Sequence, residues 1–242
     1  MNRRKFIYNS SIATLSVVGL NSCNILDKNV KISILHTNDV HSQIEPFPFN
    51  HNIYPDRGGF AKRANIFKGL MKLNPNTLIF DAGDIFQGTP YFNFFQGELE
   101  LNLMKKMGYN AATIGNHEFD AGLDILKRNI INNDFQFISS NYDFTNTTLE
   151  GLVSKYKIYK KQDVKIGVFG LGIELNGLVN STLYKETKYY DPIEISNEMT
   201  HILKEEEKCD LIICISHLGH TYQDDKISDL KLASLTSDID LI

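Results

Sequence analysis

The sequence has 242 residues, and its 25 Lys and Arg against 29 Asp and Glu leave a formal net charge of -4. That length allows one domain with a sizeable core, and without a basic excess there is no field to draw in nucleic acid, so none is expected as a partner. Hydrophobic residues make up 42% of the chain, and with no repeat and no low-complexity tract this excludes a disordered or fibrous protein.

The chain opens with MNRRKF, then the apolar stretch IATLSVVGL and the small residues NSC. A basic segment, a short apolar segment and small residues in that order form an export signal, and the apolar part is too short to cross a bilayer. Residues 1–22 are therefore expected to be a signal peptide of bacterial lipoprotein type, with twin-arginine character in RRKFI. Cys23 becomes the lipidated first residue, residues 23–30 a linker, and 31–242 the folded domain. The expected location is the periplasm or the cell surface, with the membrane as a partner through the lipid on Cys23.

Beyond the linker, KISILH reads as a strand and FAKRANIFKGLMKL as an amphipathic helix with apolar residues three and four apart. TLIFDAGD reads as a strand entering a turn, ELELNLMKKM as a helix, and AATIGNH as a strand ending in a loop. GLDILKRNII follows as a helix, FQFISS and VKIGVFGLG as strands, and EISNEMTHILKEEE as a helix. CDLIICISH is a strand, ISDLKLASLT a helix and DIDLI a last strand. Strands separated by helices predict a layered α/β fold around a buried sheet. Cys209 and Cys214 sit at an odd separation in CDLIICIS, which along a strand places them on opposite faces as unpaired, buried thiols.

Polar clusters begin where the apolar runs stop: HTNDVH after the first strand, DAGD after the second, GNHEFD after the third and SHLGH after a late one. In α/β sheets the crevice beyond the carboxyl ends of the strands is where ligands bind. Taken singly, each residue has an ordinary structural use. Asp84 suits a turn beside Gly83, Asn116 a left-handed turn position, His217 a hydrogen-bonded core site, and Gly115 a turn that needs glycine. Together, Asp39, His41, Asp84, Asn116 and His217 make an oxygen and nitrogen donor set suited to borderline divalent metals such as Zn, Mn or Fe. Five such donors exceed one tetrahedral site and point to two ions about 3.5–4 Å apart, with one carboxylate bridging them, arranged for displacement at phosphorus.

The segments ISILHTNDVHSQI and YNAATIGNHEFD resemble the two signatures of the 5'-nucleotidase family, within the calcineurin-like metallophosphoesterases. RGGFAKR and GDIFQGTPYFNFFQGE resemble the spacing of that family as well. The resemblance implies a four-layer α-β-β-α sandwich and a metal-dependent hydrolase that releases phosphate from nucleotides by attack of a metal-bridging hydroxide. It implies that Asp39 and His41 ligate a first ion, Asp84 bridges, and Asn116 and His217 ligate a second. His117 and Asp120 form the catalytic dyad, the carboxylate orienting the imidazole. Glu118 has no chemical role in this pattern beyond a supporting hydrogen bond, and Asp81, His36 and His220 are supporting or structural.

In that family a strand such as SDIDLI leads into a Gly-His-x-His segment and then a separate nucleotide-binding domain, whereas this sequence ends at Ile242. The expectation is a metallophosphoesterase domain lacking its C-terminal part, with weakened metal binding and low activity, or one whose remaining domain is carried on a separate chain. Two other activities share the expectation: hydrolysis of 2',3'-cyclic nucleotides or UDP-sugars at the same site, and a non-catalytic surface lipoprotein with a degenerate metal site.

Overall fold

The structure is a computed structural model that describes residues 29–242. The export segment 1–22 and the lipidation site Cys23 lie outside the described residues. Parallel pairing builds the first sheet: β1 (Ser33–Thr37) runs beside β2 (Thr77–Asp81), in register Ser33 with Thr77, and β2 beside the two-residue β3 (Ala111–Ala112). Parallel neighbours need a crossover. Helix α1 (Phe60–Leu73) supplies the first, and α2 (Pro90–Phe95) with α3 (Glu98–Met107) the second. Both α1 and α3 span the segments that the apolar periodicity predicts.

The second sheet has β5 (Tyr156–Lys161) antiparallel to β6 (Val164–Leu171), and β6 parallel to β8 (Leu211–Ser216). Between the two sheets along the chain, and within the second, lie α4 (Leu123–Asn133), the small pair β4 (Tyr142–Asp143) with β7 (Lys188–Tyr189), the short α5 (Ser181–Tyr184) and α6 (Pro192–His201). Helix α6 starts cleanly because Asp191 accepts from the amides of Ile193 and Glu194 and Pro192 needs no acceptor. It runs on through a π-helical turn at Ile202–Glu206, and α7 (Asp229–Leu235) closes the series. No described helix is long and apolar enough to cross a membrane.

Three apolar clusters show the layering within Ile32–Ile242, which packs as one compact unit. Alternate residues on a strand point to opposite faces. Leu78 and Phe80 of β2 therefore meet Ile166 and Val168 of β6 and Ile213 and Ile215 of β8 between the sheets. Ile79 faces the other way, onto Leu101 and Met104 of α3 and Leu126 of α4. Phe169, Ile212 and Cys214 face Met199 of α6 and Leu232 of α7. The order is helix, sheet, sheet, helix, the four layers that the resemblance implies.

Some sequence expectations fail for local reasons. Of the predicted strand AATIGNH only Ala111 and Ala112 pair, because the chain turns away to form the loop beyond it. FQFISS makes only the isolated bridges Ala112–Phe137 and Ile138–Ser154, and DIDLI only Ile213–Leu241. The strand β5 lies in YKIYKK, whose lysines hide its pairing with β6. Cys209 precedes β8 and packs into the same helix-side cluster as Cys214, so the two are not on opposite faces of a strand; both are free thiols.

At the end of β2 a buried carboxylate carries a hydrogen-bond chain. Arg63 donates to the Tyr109 hydroxyl (3.1 Å), Tyr109 to the Thr37 hydroxyl (2.7 Å), and Thr37 to Asp81 (2.5 Å). Burial pushes Asp81 up to about 7 against the pull of Thr37. In the unfolded chain Asp81 loses its proton near 3.8, so the folded state holds the extra proton between the two values. Its stability is intact below 3.8 and falls as the pH rises toward 7, by about 4 kcal/mol at most. Asp81→Asn should therefore gain stability relative to the wild-type chain as pH rises from about 4 to about 8 in urea unfolding. A difference that does not change with pH would contradict this assignment.

Candidate metal centre

Three loops meet where β1, β2 and β3 end. The first two are laced by backbone bonds from Asp39 N to Gly83 O (3.0 Å), His41 N to Asp84 O (3.1 Å) and Ser42 N to Ile85 O (2.8 Å). Asp39, His41 and Asp84 all have φ in the left-handed region, at 50, 45 and 56°, a conformation that costs energy for residues with a side chain and that surrounding structure must enforce. The third loop is fixed by Glu118. Its buried carboxylate accepts from Asp84 N (2.9 Å) and Gly115 N (2.6 Å) on one oxygen, and from Ile85 N (2.7 Å) and Phe86 N (3.3 Å) on the other. Burial and the nearby Asp84 push Glu118 up to about 7 while these amides pull it down.

The glycines in these loops serve close approach. At Gly83, φ is +91° and a Cβ would sit 2.7 Å from Gly115 N and 3.1 Å from His217 Nδ1. Gly115 does not have a positive φ; it is needed because a Cβ there would run into the Asp84 carboxylate. Asn116 has φ -74 and ψ -32, which rules out the left-handed turn position as its ordinary use, and opens a single 3-10 turn at His117–Phe119. In that helix type residues i and i+3 eclipse, which brings Asp120 under His117. The Nδ1–H of His117 donates to Asp120 at 2.7 Å, and the His117 amide donates to Asp84 at 2.9 Å.

All three histidines share one arrangement. His217 Nδ1 donates to Ala82 O (2.7 Å), His41 Nδ1 to Phe86 O (3.3 Å) and His117 Nδ1 to Asp120. An oxygen acceptor at Nδ1 fixes the tautomer and leaves Nε2 to face inward. Around Asp84 Oδ2 the inward nitrogens stand at 3.2 Å for His217 and 4.0 Å for both His41 and His117, and His41 is 3.7 Å from Asp39. The donor atoms form two overlapping triads, Asp39–Asp84–His217 and His41–Asp84–His117, with Asp84 in both. This grouping pairs Asp39 with His217 and His41 with His117, unlike the partition that the resemblance implies. Asn116 lines a cleft of about 630 Å³ together with Asp39, Asp84 and His217.

Each carboxylate of the centre raises the histidine that faces it. His41 beside Asp39 holds that carboxylate down at about 2, and Asp39 in turn holds His41 up. Burial alone would raise Asp84 and lower His217. The hydrogen bond and charge between the two reverse both, keeping Asp84 below its usual range and His217 up at about 9. Carboxylates and inward imidazoles, each imidazole braced from behind, are a donor set that fits divalent metal ions.

Every sequence-predicted site residue from Asp39 to His217 thus lies at this centre, while His36 and His220 line the cleft beside it. The supporting hydrogen bond expected of Glu118 proves to be four, which tie the second and third loops together. The only signal of this in the sequence is position, two residues after Asn116 in a loop whose amides need an acceptor.

Residues 32–242 match the calcineurin-like phosphoesterase family. The chain is 33% identical over 204 residues to a 5'-nucleotidase of Vibrio vulnificus, covering 83% of this chain and 36% of that protein. A 5'-nucleotidase precursor from Thermus thermophilus superposes with a TM-score of 0.70 at 30% identity, over 78% of this chain and 37% of that one. The calcineurin-like phosphoesterase YfkN from Bacillus subtilis superposes with a TM-score of 0.73 at 28% identity, over 87% and 70%. The chain spans 36% of the length of the Vibrio relative.

Removing the Glu118 carboxylate leaves four backbone amides without an acceptor, and each such loss costs about 1–3 kcal/mol. Glu118→Ala should lower unfolding free energy by about 4 kcal/mol in denaturant titration, with Glu118→Gln, which keeps one acceptor oxygen, in between. A loss below about 1 kcal/mol for Glu118→Ala would show that the loops are held by other means.

Proposed function

Because the chain belongs to the calcineurin-like phosphoesterase family, we propose that residues 31–242 form a metal-dependent hydrolase domain that releases phosphate from nucleotides, with two divalent ions sharing Asp84. The observation that carries this reading is the arrangement of His41, His117 and His217, each braced at Nδ1 and turning Nε2 toward one buried carboxylate. Asp39, His41, Asp84, Asn116 and His217 would hold the ions. Bound there, divalent cations neutralise charge on the phosphoryl group and acidify water beside it.

The protein's own groups account for the rest. Asp120 holds the His117 ring by its Nδ1–H, so that in the imidazolium form the second proton, on Nε2, could pass to the leaving oxygen while the Asp120 carboxylate balances the ring's charge. The backbone bonds between the loops keep these groups in place before substrate arrives, so little ordering is left for the binding step.

The proposal extends to the N-terminus. Arg3, Arg4 and Lys5 ahead of an apolar segment and Cys23 support export and a lipid anchor, placing the domain in the periplasm or at the cell surface. Nucleotide 5'-monophosphates are the substrate class best supported, since the Vibrio and Thermus relatives bear the name 5'-nucleotidase.

The test is Mn-stimulated phosphate release from AMP by the purified chain. Asp84→Asn should reduce the stimulated rate to background. His117→Ala should lower kcat by about 10²–10⁴-fold while leaving Mn binding unchanged in calorimetry, the range expected for loss of a general acid. Phosphate release that is indifferent to chelator and to Asp84→Asn would refute the proposal.

A further inference from the structure

Next to the metal centre lies a second cavity, of about 700 Å³, that shares Asp39 and His41 with it. Phe47, Arg57, Lys62 and Arg63 line it as well. The volume falls in the range of small-molecule sites. What distinguishes it is charge: three cationic side chains line a space whose only carboxylate, among the described residues, is Asp39, a residue that the proposed function commits to a metal ion.

The three cations are not equivalent. Arg63 is half-buried, donates to the Tyr109 hydroxyl, and stacks 4.3 Å over the Phe60 ring. Lys62 is paired with Asp56 at 2.7 Å. Arg57 is exposed and, among the described residues, has no carboxylate partner, yet its backbone is pinned. Phe47 N donates to Arg57 O (2.8 Å) and Arg57 N to Tyr54 O (3.3 Å). Phe47 itself is backed by His51 and Tyr54, with ring centroids 4.6 and 5.9 Å away. A guanidinium without a carboxylate is therefore carried on a braced loop, in a cavity that Phe47 also lines and that reaches the metal centre through Asp39 and His41. Guanidinium groups suit phosphate because their planar fork donates two parallel hydrogen bonds.

We propose that this cavity is a second anion subsite, in which Arg57, assisted by Lys62, binds a phosphate group of the ligand other than the one at the metal centre. The proposal rests on the phosphoester reading for the position of the first phosphate. The ligand class it implies carries two phosphates joined or closely spaced, and Phe47 offers an apolar surface for whatever lies beyond the second.

The probes are inorganic pyrophosphate and orthophosphate, titrated calorimetrically into the full chain at one fixed Mn concentration and again without metal, so that chelation is common to every variant. The wild-type chain should bind pyrophosphate at least about 10-fold more tightly than orthophosphate. Arg57→Ala should remove about 10-fold of pyrophosphate affinity, the loss typical of one charge-assisted hydrogen bond, and change orthophosphate binding by less than about 2-fold. Arg57→Lys should recover part of the loss, because the charge returns without the fork. Equal affinity for the two anions in the wild-type chain, or an Arg57→Ala chain as selective as the wild type, overturns the proposal. Failure of the phosphoester reading would show separately, as AMP hydrolysis indifferent to Asp84→Asn, and Arg57-dependent pyrophosphate selectivity in the metal-free chain would survive it.

Discussion

The candidate centre hangs on one buried carboxylate. Glu118 collects amides from the loop after β2 and from the loop after β3, and the first of these is itself laced to the loop after β1. These amides lie beyond the paired residues of the sheet, so without an internal acceptor the loops would have to turn them to water. Holding the amides inward turns three irregular segments into a rigid floor. Asp84, Asn116 and His117 stand on that floor, and His217 reaches it from the other sheet through Ala82 O.

Such a floor explains why the backbone can tolerate left-handed Asp39, His41 and Asp84 together. Each costs about 1–3 kcal/mol in isolation, and only an over-determined surrounding sustains all three. The histidines follow the same logic. Their Nδ1 acceptors are chemically different, a carboxylate and two backbone carbonyls, but each does the same thing, removing the choice of tautomer. A rotating imidazole would present either nitrogen, whereas a braced one presents Nε2 alone.

The sequence made much of this legible, and the exceptions have physical reasons. Helices α1 and α3 were readable to the residue because one apolar face is buried and the period is unambiguous. The candidate ligands were readable because polar residues abruptly end apolar strands. The segments at 111–117 and 135–140 were not readable as they are, since a buried apolar run looks the same whether it pairs as a strand or only bridges. Spacing could locate Gly115 but not its purpose, which is room for Asp84 and not freedom of φ. Nor could spacing show which ligand stands beside which. His217 is drawn to Asp84 by a contact between two sheets, and sequence separation carries no trace of it. Arg57 opens the RGGFAKR segment, yet that it has no carboxylate partner among the described residues shows only in three dimensions.

The parallel pairing of the first sheet also divides the centre between the two halves of the chain. β1, β2 and β3, with the loops that carry Asp39, His41, Asp84, Asn116 and His117, are all contained in the first half of the chain. These donors and the Glu118 clamp therefore meet through short crossovers within one contiguous half of the chain. His217 is the latch from the second sheet, set against Asp84. Loosening the contact between the two sheets would therefore withdraw one donor and leave the other five where they stand.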